Sequence, residues 1–126
     1  MNHMRTPLSR ARGLGSAKKG TEHFLMQRVT ALANIPLTVF LVSALVVHAG
    51  SDYATMTSFL GNPFVGVVML LLIFSACYHM RLGLQVVIED YVHAEATKLL
   101  ALIANQFFTL TVAVVCALAV AKLVIG

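Results

Sequence analysis

The sequence predicts an all-α integral membrane protein with three transmembrane helices. Two observations predict it. Of the 126 residues, 59% are hydrophobic and only 11% are charged, whereas soluble domains carry about 25% charged residues. The mean hydropathy is +0.85. The apolar residues also gather into three runs, and each can reach the roughly 20 residues of a span once its flanks are counted. The length allows a single membrane domain, 1–126, with at most three or four spanning helices. Lipid offers the backbone no hydrogen-bond partners, so the runs must be helices.

The chain opens with a basic segment, 1–22, "MNHMRTPLSRARGLGSAKKGTE". Its first twenty residues hold no apolar h-region, which excludes a secretory signal. Arginine-rich and poor in acid, the segment has the composition of an organelle transit peptide. It leads into the first span within a few turns, which favours a retained bacterial N-terminus. A basic terminus can serve nucleic acid; beside a hydrophobic span it marks a segment held in the cytoplasm. We therefore expect no nucleic-acid partner and a lipid bilayer around the rest.

The first span is expected at about 27–48, built on "VTALANIPLTVFLVSALVV", Val29 to Val47. Pro36 inside it predicts a kink and freed backbone groups near Leu32. Gly50 to Gly61 reads as a short loop with Asp52 and no Lys or Arg. The second span, about 63–91, starts on "PFVGVVMLLLIFSACY" and carries a polar extension to Tyr91. Asn62 can cap it, and Pro63 suits the first helical position. A tight turn at Tyr91 to Glu95 leads to the third span, about 96–124, around "LLALIANQFFTLTVAVVCALAV". Asn105, Gln106, Thr109 and Thr111 there, and Asn34 and Thr38 in the first span, read as hydrogen-bonding partners of neighbouring helices. Cys77 and Cys116 read as small buried hydrophobes, and no Cys-x-x-Cys spacing occurs.

Charge sets the orientation. Arg5, Arg10, Arg12, Lys18, Lys19 and Arg28 account for six of the nine Lys and Arg. The first loop has none, the second turn region has Arg81 and Lys98, and only Lys122 follows the core of the third span. The positive-inside rule then predicts a cytoplasmic N-terminus and second turn, and a periplasmic C-terminus.

The stretch that stands apart is "ACYHMRLGLQVVIEDYVH", Ala76 to His93. Run unbroken from Pro63 to Tyr91, the second helix is about 43 Å long, against a hydrocarbon core of about 30 Å. It overshoots the lipid on its cytoplasmic side, so Glu89, Asp90 and Tyr91 reach the headgroups. His79 lies about 24 Å from Pro63 by the same rise, inside the lipid near its inner edge. An intramembrane His is a functional-site hypothesis in itself, and three roles are open to it: a hydrogen-bonding core residue, a proton relay or a metal ligand. Gly83 lies four residues on, on the same face, and leaves a recess that suits a haem ring or a closely packed helix. Imidazole is a common axial ligand of haem iron. Two-imidazole coordination needs a second His at matching depth, and this chain has none: His48 falls at the outer end of the first helix, and His3, His23 and His93 in or near the cytoplasmic zone. Such a haem would require a partner subunit. Asp90 and Tyr91 pair a carboxylate with a phenol that can donate to a carbonyl such as a quinone oxygen; they also read as an interfacial anchor and a helix-end acid. Arg28 and Arg81 read as snorkelling cations that could meet haem propionates.

His79-x-x-x-Gly83 followed by Asp90-Tyr91, set on the second of three spans, resembles the hydrophobic D-type membrane-anchor subunits of succinate dehydrogenase, respiratory complex II. "GLGSAKKGTEHFLMQRVTALANIPL", Gly13 to Leu37, resembles the entry to the first helix in the alphaproteobacterial and mitochondrial-like branch. The resemblance runs from about Ser9 to Ile125. It implies His79 as an axial ligand of a haem b shared with a cytochrome b subunit, against which the three helices would pack. It implies Tyr91 as a hydrogen-bond donor to ubiquinone, Asp90 beside it, and Arg28 as a partner of a haem propionate. It implies flavoprotein and iron–sulfur subunits on the cytoplasmic face, electrons passing from succinate to quinone, and residence in the bacterial inner membrane in preference to the mitochondrial one. The chain has no nucleophile–base pair, phosphate loop or nucleotide motif, so it is expected to be non-catalytic alone. The alternative is a non-redox three-helix accessory or assembly protein, with His79 a packed polar residue and Tyr91 an anchor.

Overall fold

The computed structural model describes residues 6–13 and 19–126. All its regular structure is helical: α1 (Pro7–Ala11), α2 (Lys19–Val47), α3 (Tyr53–Leu60), α4 (Pro63–Tyr91) and α5 (Glu95–Ile125). Helices α2, α4 and α5 are long and apolar enough to cross a membrane. At about 1.5 Å per residue, each exceeds 40 Å.

Local chemistry sets several boundaries as expected. The Asn62 side chain accepts from the backbone N–H of Phe64, and Pro63 opens α4. Gly50 adopts φ +80° just beyond α2, a conformation that suits a residue without a Cβ. Helix α2 continues through Pro36 and begins at Lys19, well before the apolar run that forms its span. One expectation is corrected. Gly50 to Gly61 is no simple loop, because Tyr53–Leu60 forms α3. The Asp52 carboxylate accepts from the Thr55 N–H and starts that helix. Hydrogen bonding to Thr55, first through its side chain and then through its backbone, holds the Asp52 carboxyl below its ordinary value.

Helix α4 packs on both α2 and α5, and among the described residues α2 and α5 make no close backbone approach to each other. The short α3 lies across one end against α4 and α5, with the Phe59 ring 4.1 Å from that of His48. Close approach at this end rests on two glycines. A Cβ on Gly66 would stand 2.5 Å from Val124 Cγ2, and one on Gly61 would stand 2.9 Å from the carbonyl oxygens of Leu123 and Thr57. Small residues at such seams let helices gain dispersion contacts where lipid provides no hydrophobic drive.

Little of the chain is buried. The core is Val65, Leu72, Leu82, Ala113 and Val120, together with the polar Thr30, Asn105 and Thr109. Large apolar side chains such as Leu32, Val47, Phe64 and Phe107 are exposed. A helix apolar all round belongs in lipid or against other apolar helices.

Candidate functional site

The polar residues of the spans separate into two seams. On α5, Asn105 donates from Nδ2 to the Arg81 carbonyl of α4 at 3.0 Å. Thr109 and Thr111, expected to bond across helices, instead donate to the carbonyls of Asn105 and Phe107 in their own helix. That is the local bond open to any hydroxyl on a helix. Among the described residues the Gln106 and Thr38 side chains make no hydrogen bond, and Asn34 Oδ1 is buried without a partner. Gln106 instead lines a groove of about 280 Å³ between α4 and α5, together with Phe74, Cys77, Tyr78 and Arg81. Arg81 lies over the Tyr78 ring, 5.7 Å from its centroid.

The α2–α4 seam holds the residue of interest. His79 Nδ1 lies 3.1 Å from Thr30 Oγ1. The Thr30 hydroxyl also reaches its own helix, 2.8 Å from the Met26 carbonyl and 3.2 Å from that of Gln27. One turn before His79, Ser75 donates to the Thr30 carbonyl at 3.4 Å. Sequence reasoning passed over Thr30, which is only 7% exposed. A signal for it existed. Thr30 lies about 25 Å before Val47 and His79 about 24 Å after Pro63, so the two share a depth in antiparallel helices.

These residues fit an axial haem ligand. The buried, unpaired side-chain atoms among the described residues are His23 Nε2, Asn34 Oδ1 and Asn105 Oδ1. His79 Nε2 is not one of them and has no hydrogen bond among the described residues, so it is neither sealed off nor engaged within this chain. A Cβ built on Gly83 would meet nothing within 4 Å. The helix surface at Gly83, one turn on from His79, is therefore open in this chain. No group of three or more metal-binding side chains occurs among the described residues.

Asp90 and Tyr91 close α4. Tyr91 is 78% exposed, Asp90 is exposed, and neither has a hydrogen bond among the described residues. Their neighbour Glu89 is engaged, accepting from Gln85 Nε2 at 2.9 Å. Eleven residues at 100° each return Asp90 to the face of His79, about 16 Å further along the helix. Arg28 is not brought to His79. It is exposed, with its guanidinium 4.9 Å from the Phe24 ring centroid, and it stands about 200° around α2 from Thr30.

Three lipid-length helices with large apolar side chains exposed define a multi-pass membrane protein. The chain belongs to the family of succinate dehydrogenase/fumarate reductase transmembrane subunits, matching the family model over residues 2–119. It is similar to the succinate dehydrogenase hydrophobic membrane anchor subunit of Rickettsia bellii (strain RML369-C), with 31% identity over 106 residues, 84% of this chain and 85% of the relative. The subunit of the same name from Paracoccus denitrificans is 28% identical over 121 residues, 96% of this chain and 93% of the relative. That from Rickettsia conorii (strain ATCC VR-613 / Malish 7) is 33% identical over 100 residues, 79% of each. No solved structure matches the chain.

Proposed function

We propose that this chain is the hydrophobic membrane-anchor subunit of a succinate:ubiquinone oxidoreductase. In this reading it supplies one axial ligand of haem b, His79, and part of the ubiquinone site, Tyr91 with Asp90. The observation that carries the reading is the division of labour along α4. A lipid-level imidazole whose Nε2 has no hydrogen bond among the described residues lies one turn from Gly83, where the helix surface is open, and an exposed, unengaged carboxylate–phenol pair ends the same helix. Family membership and the relatives' names support the anchor role.

The N-terminus and the α4–α5 turn face the cytoplasm of a bacterial inner membrane. Flavoprotein and iron–sulfur subunits dock there, and a cytochrome b subunit covers the Gly83 side and brings the second ligand. When bound, haem b supplies one-electron exchange. His79 holds the iron through Nε2. Arg28 is the cation assigned to a propionate carboxylate by the family resemblance alone, since it stands about 200° around α2 from Thr30 and lies over Phe24. Tyr91 donates its phenolic hydrogen to a quinone carbonyl, and Asp90 orients it or passes a proton.

The test is Tyr91→Phe in the assembled complex. Quinone reduction by succinate falls while reduction of an artificial dye persists. Unchanged quinone turnover removes Tyr91 from the site. A reduced-minus-oxidised spectrum of the complex purified in mild detergent tests the haem assignment, since a colourless subunit without flavin or iron–sulfur signals is the mark of a non-redox accessory protein.

A further inference from the structure

We propose that Thr30 is a positioning residue for His79: it fixes the imidazole tautomer that leaves Nε2 bare for iron and strengthens that nitrogen as a ligand. The inference rests on the ligand role proposed above and goes beyond it, to a side chain on the other helix of the seam.

The argument is a count of hydrogens. A hydroxyl has one hydrogen and two lone pairs. The Thr30 hydroxyl faces two acceptor carbonyls, Met26 at 2.8 Å and Gln27 at 3.2 Å, and the His79 ring nitrogen at 3.1 Å. Its hydrogen goes to the nearest acceptor, the Met26 carbonyl, which lies in the direction an i−4 bond requires. The oxygen then has only lone pairs left for His79, so Nδ1 must be the protonated nitrogen and donate to Oγ1. A neutral imidazole carries one hydrogen, and Nε2 is left with its lone pair. Thr30 is buried, which keeps out a water that could reverse the arrangement. The Ser75 bond to the Thr30 carbonyl fastens the same turn of α2 to α4 one turn away, so the hydroxyl and the ring stay in register.

Two consequences follow for a metal on Nε2. The ring cannot rotate away without leaving its half-buried Nδ1–H unpaired and taking the donor from the buried Thr30 oxygen. Donation from Nδ1–H to an acceptor also pushes electron density towards Nε2, and an oxygen whose own hydrogen is already donated is the better acceptor. Both favour ferric over ferrous iron, so Thr30 lowers the haem potential.

The experiment is a redox titration of the haem absorption bands in the purified complex, with Thr30→Val, Thr30→Cys, Thr30→Ser and His79→Leu. Thr30→Val keeps shape and removes the acceptor. The midpoint should rise by about 59 mV if ferric preference drops about tenfold, and Thr30→Ser should restore the original value. An unchanged midpoint in Thr30→Val overturns the proposal. If Thr30→Val does not assemble, Thr30→Cys decides, because sulfur is a weak acceptor; its midpoint must lie above that of Thr30→Ser, and equality overturns the proposal. His79→Leu separates the two levels. An unaltered spectrum there refutes the ligand role itself, whereas an altered one beside a silent Thr30→Val refutes only the part given to Thr30.

Discussion

Replacing Gly83 with alanine tests whether that glycine makes room for a cofactor or for packing within this chain. A glycine inside a helix costs about 0.5–1 kcal/mol relative to alanine. A Cβ at Gly83 meets nothing within 4 Å, so no clash offsets that gain, and the isolated fold should be as stable or slightly more stable. Gly61 is the internal contrast. Its Cβ would stand 2.9 Å from two backbone carbonyl oxygens, at Leu123 and Thr57. Backbone cannot step aside as a side-chain terminus can, and overpacking of this kind costs about 1–3 kcal/mol. The two substitutions should therefore differ by about 1.5–4 kcal/mol in opposite directions. Both complexes would be unfolded in mixed detergent while haem content and band position are followed. The expected result is a Gly83→Ala chain that folds well and holds haem poorly, beside a Gly61→Ala chain that loses stability. Full haem content and an unshifted band in Gly83→Ala would refute the idea that a ring lies over this recess.

Three further outcomes follow from the same contacts. Asn105→Leu should cost no more than about 1.7 kcal/mol in a detergent unfolding assay, the upper end for a hydrogen bond between membrane helices; it removes the bond to the Arg81 carbonyl but also an unpaired Oδ1. Gly66→Leu should separate α4 from α5 at the α3 end, because even a Cβ there meets Val124 at 2.5 Å; a spin-label or crosslink distance between those ends should lengthen. The α3 cap should depend on pH. The Asp52 carboxyl titrates below its ordinary value in the folded chain, so its contribution is complete above that ordinary value and is lost as pH falls through the lowered one. Amide exchange at Thr55 and Met56 should accelerate only in acid, and not in Asp52→Asn.

The spans were legible because their physics is additive: twenty apolar residues in a row need lipid whatever surrounds them. Asn62 and Pro63 were legible for a similar reason, since a cap acts on the next turn. Helix α3 was not, because eight residues of mixed polarity after a single Asp carry too weak a period to stand out, and its docking on α4 and α5 decides its fate. The hydroxyls of the third span misled in the opposite direction. Thr109 and Thr111 satisfy themselves on their own carbonyls, so a polar side chain in a span need not signal a partner. Thr30 was hidden by the same ambiguity. Its own-helix bond resembles theirs, and only the register between α2 and α4 reveals the imidazole beyond it.

That register also bears on the proposed haem site. Helix α4 packs on both α2 and α5, yet many of its large apolar side chains stay exposed. His79 engages Thr30 of α2 through Nδ1 and leaves Nε2 without a hydrogen bond among the described residues. On the same face one turn on, the space where a Gly83 Cβ would stand is open. Asp90 returns to that face about 16 Å beyond His79, at the helix end. In the proposed reading a ring placed there would take one imidazole from this chain and would need its second ligand and the rest of its cover from an apolar partner. The exposed Leu32, Val47 and Phe107 side chains have the same requirement for apolar cover. Reconstitution should therefore show haem retention and subunit association as one event: Thr30→Val and Gly83→Ala, which touch no exposed apolar residue, should weaken the partner's hold only where haem is lost, and an undiminished association without haem would separate the two.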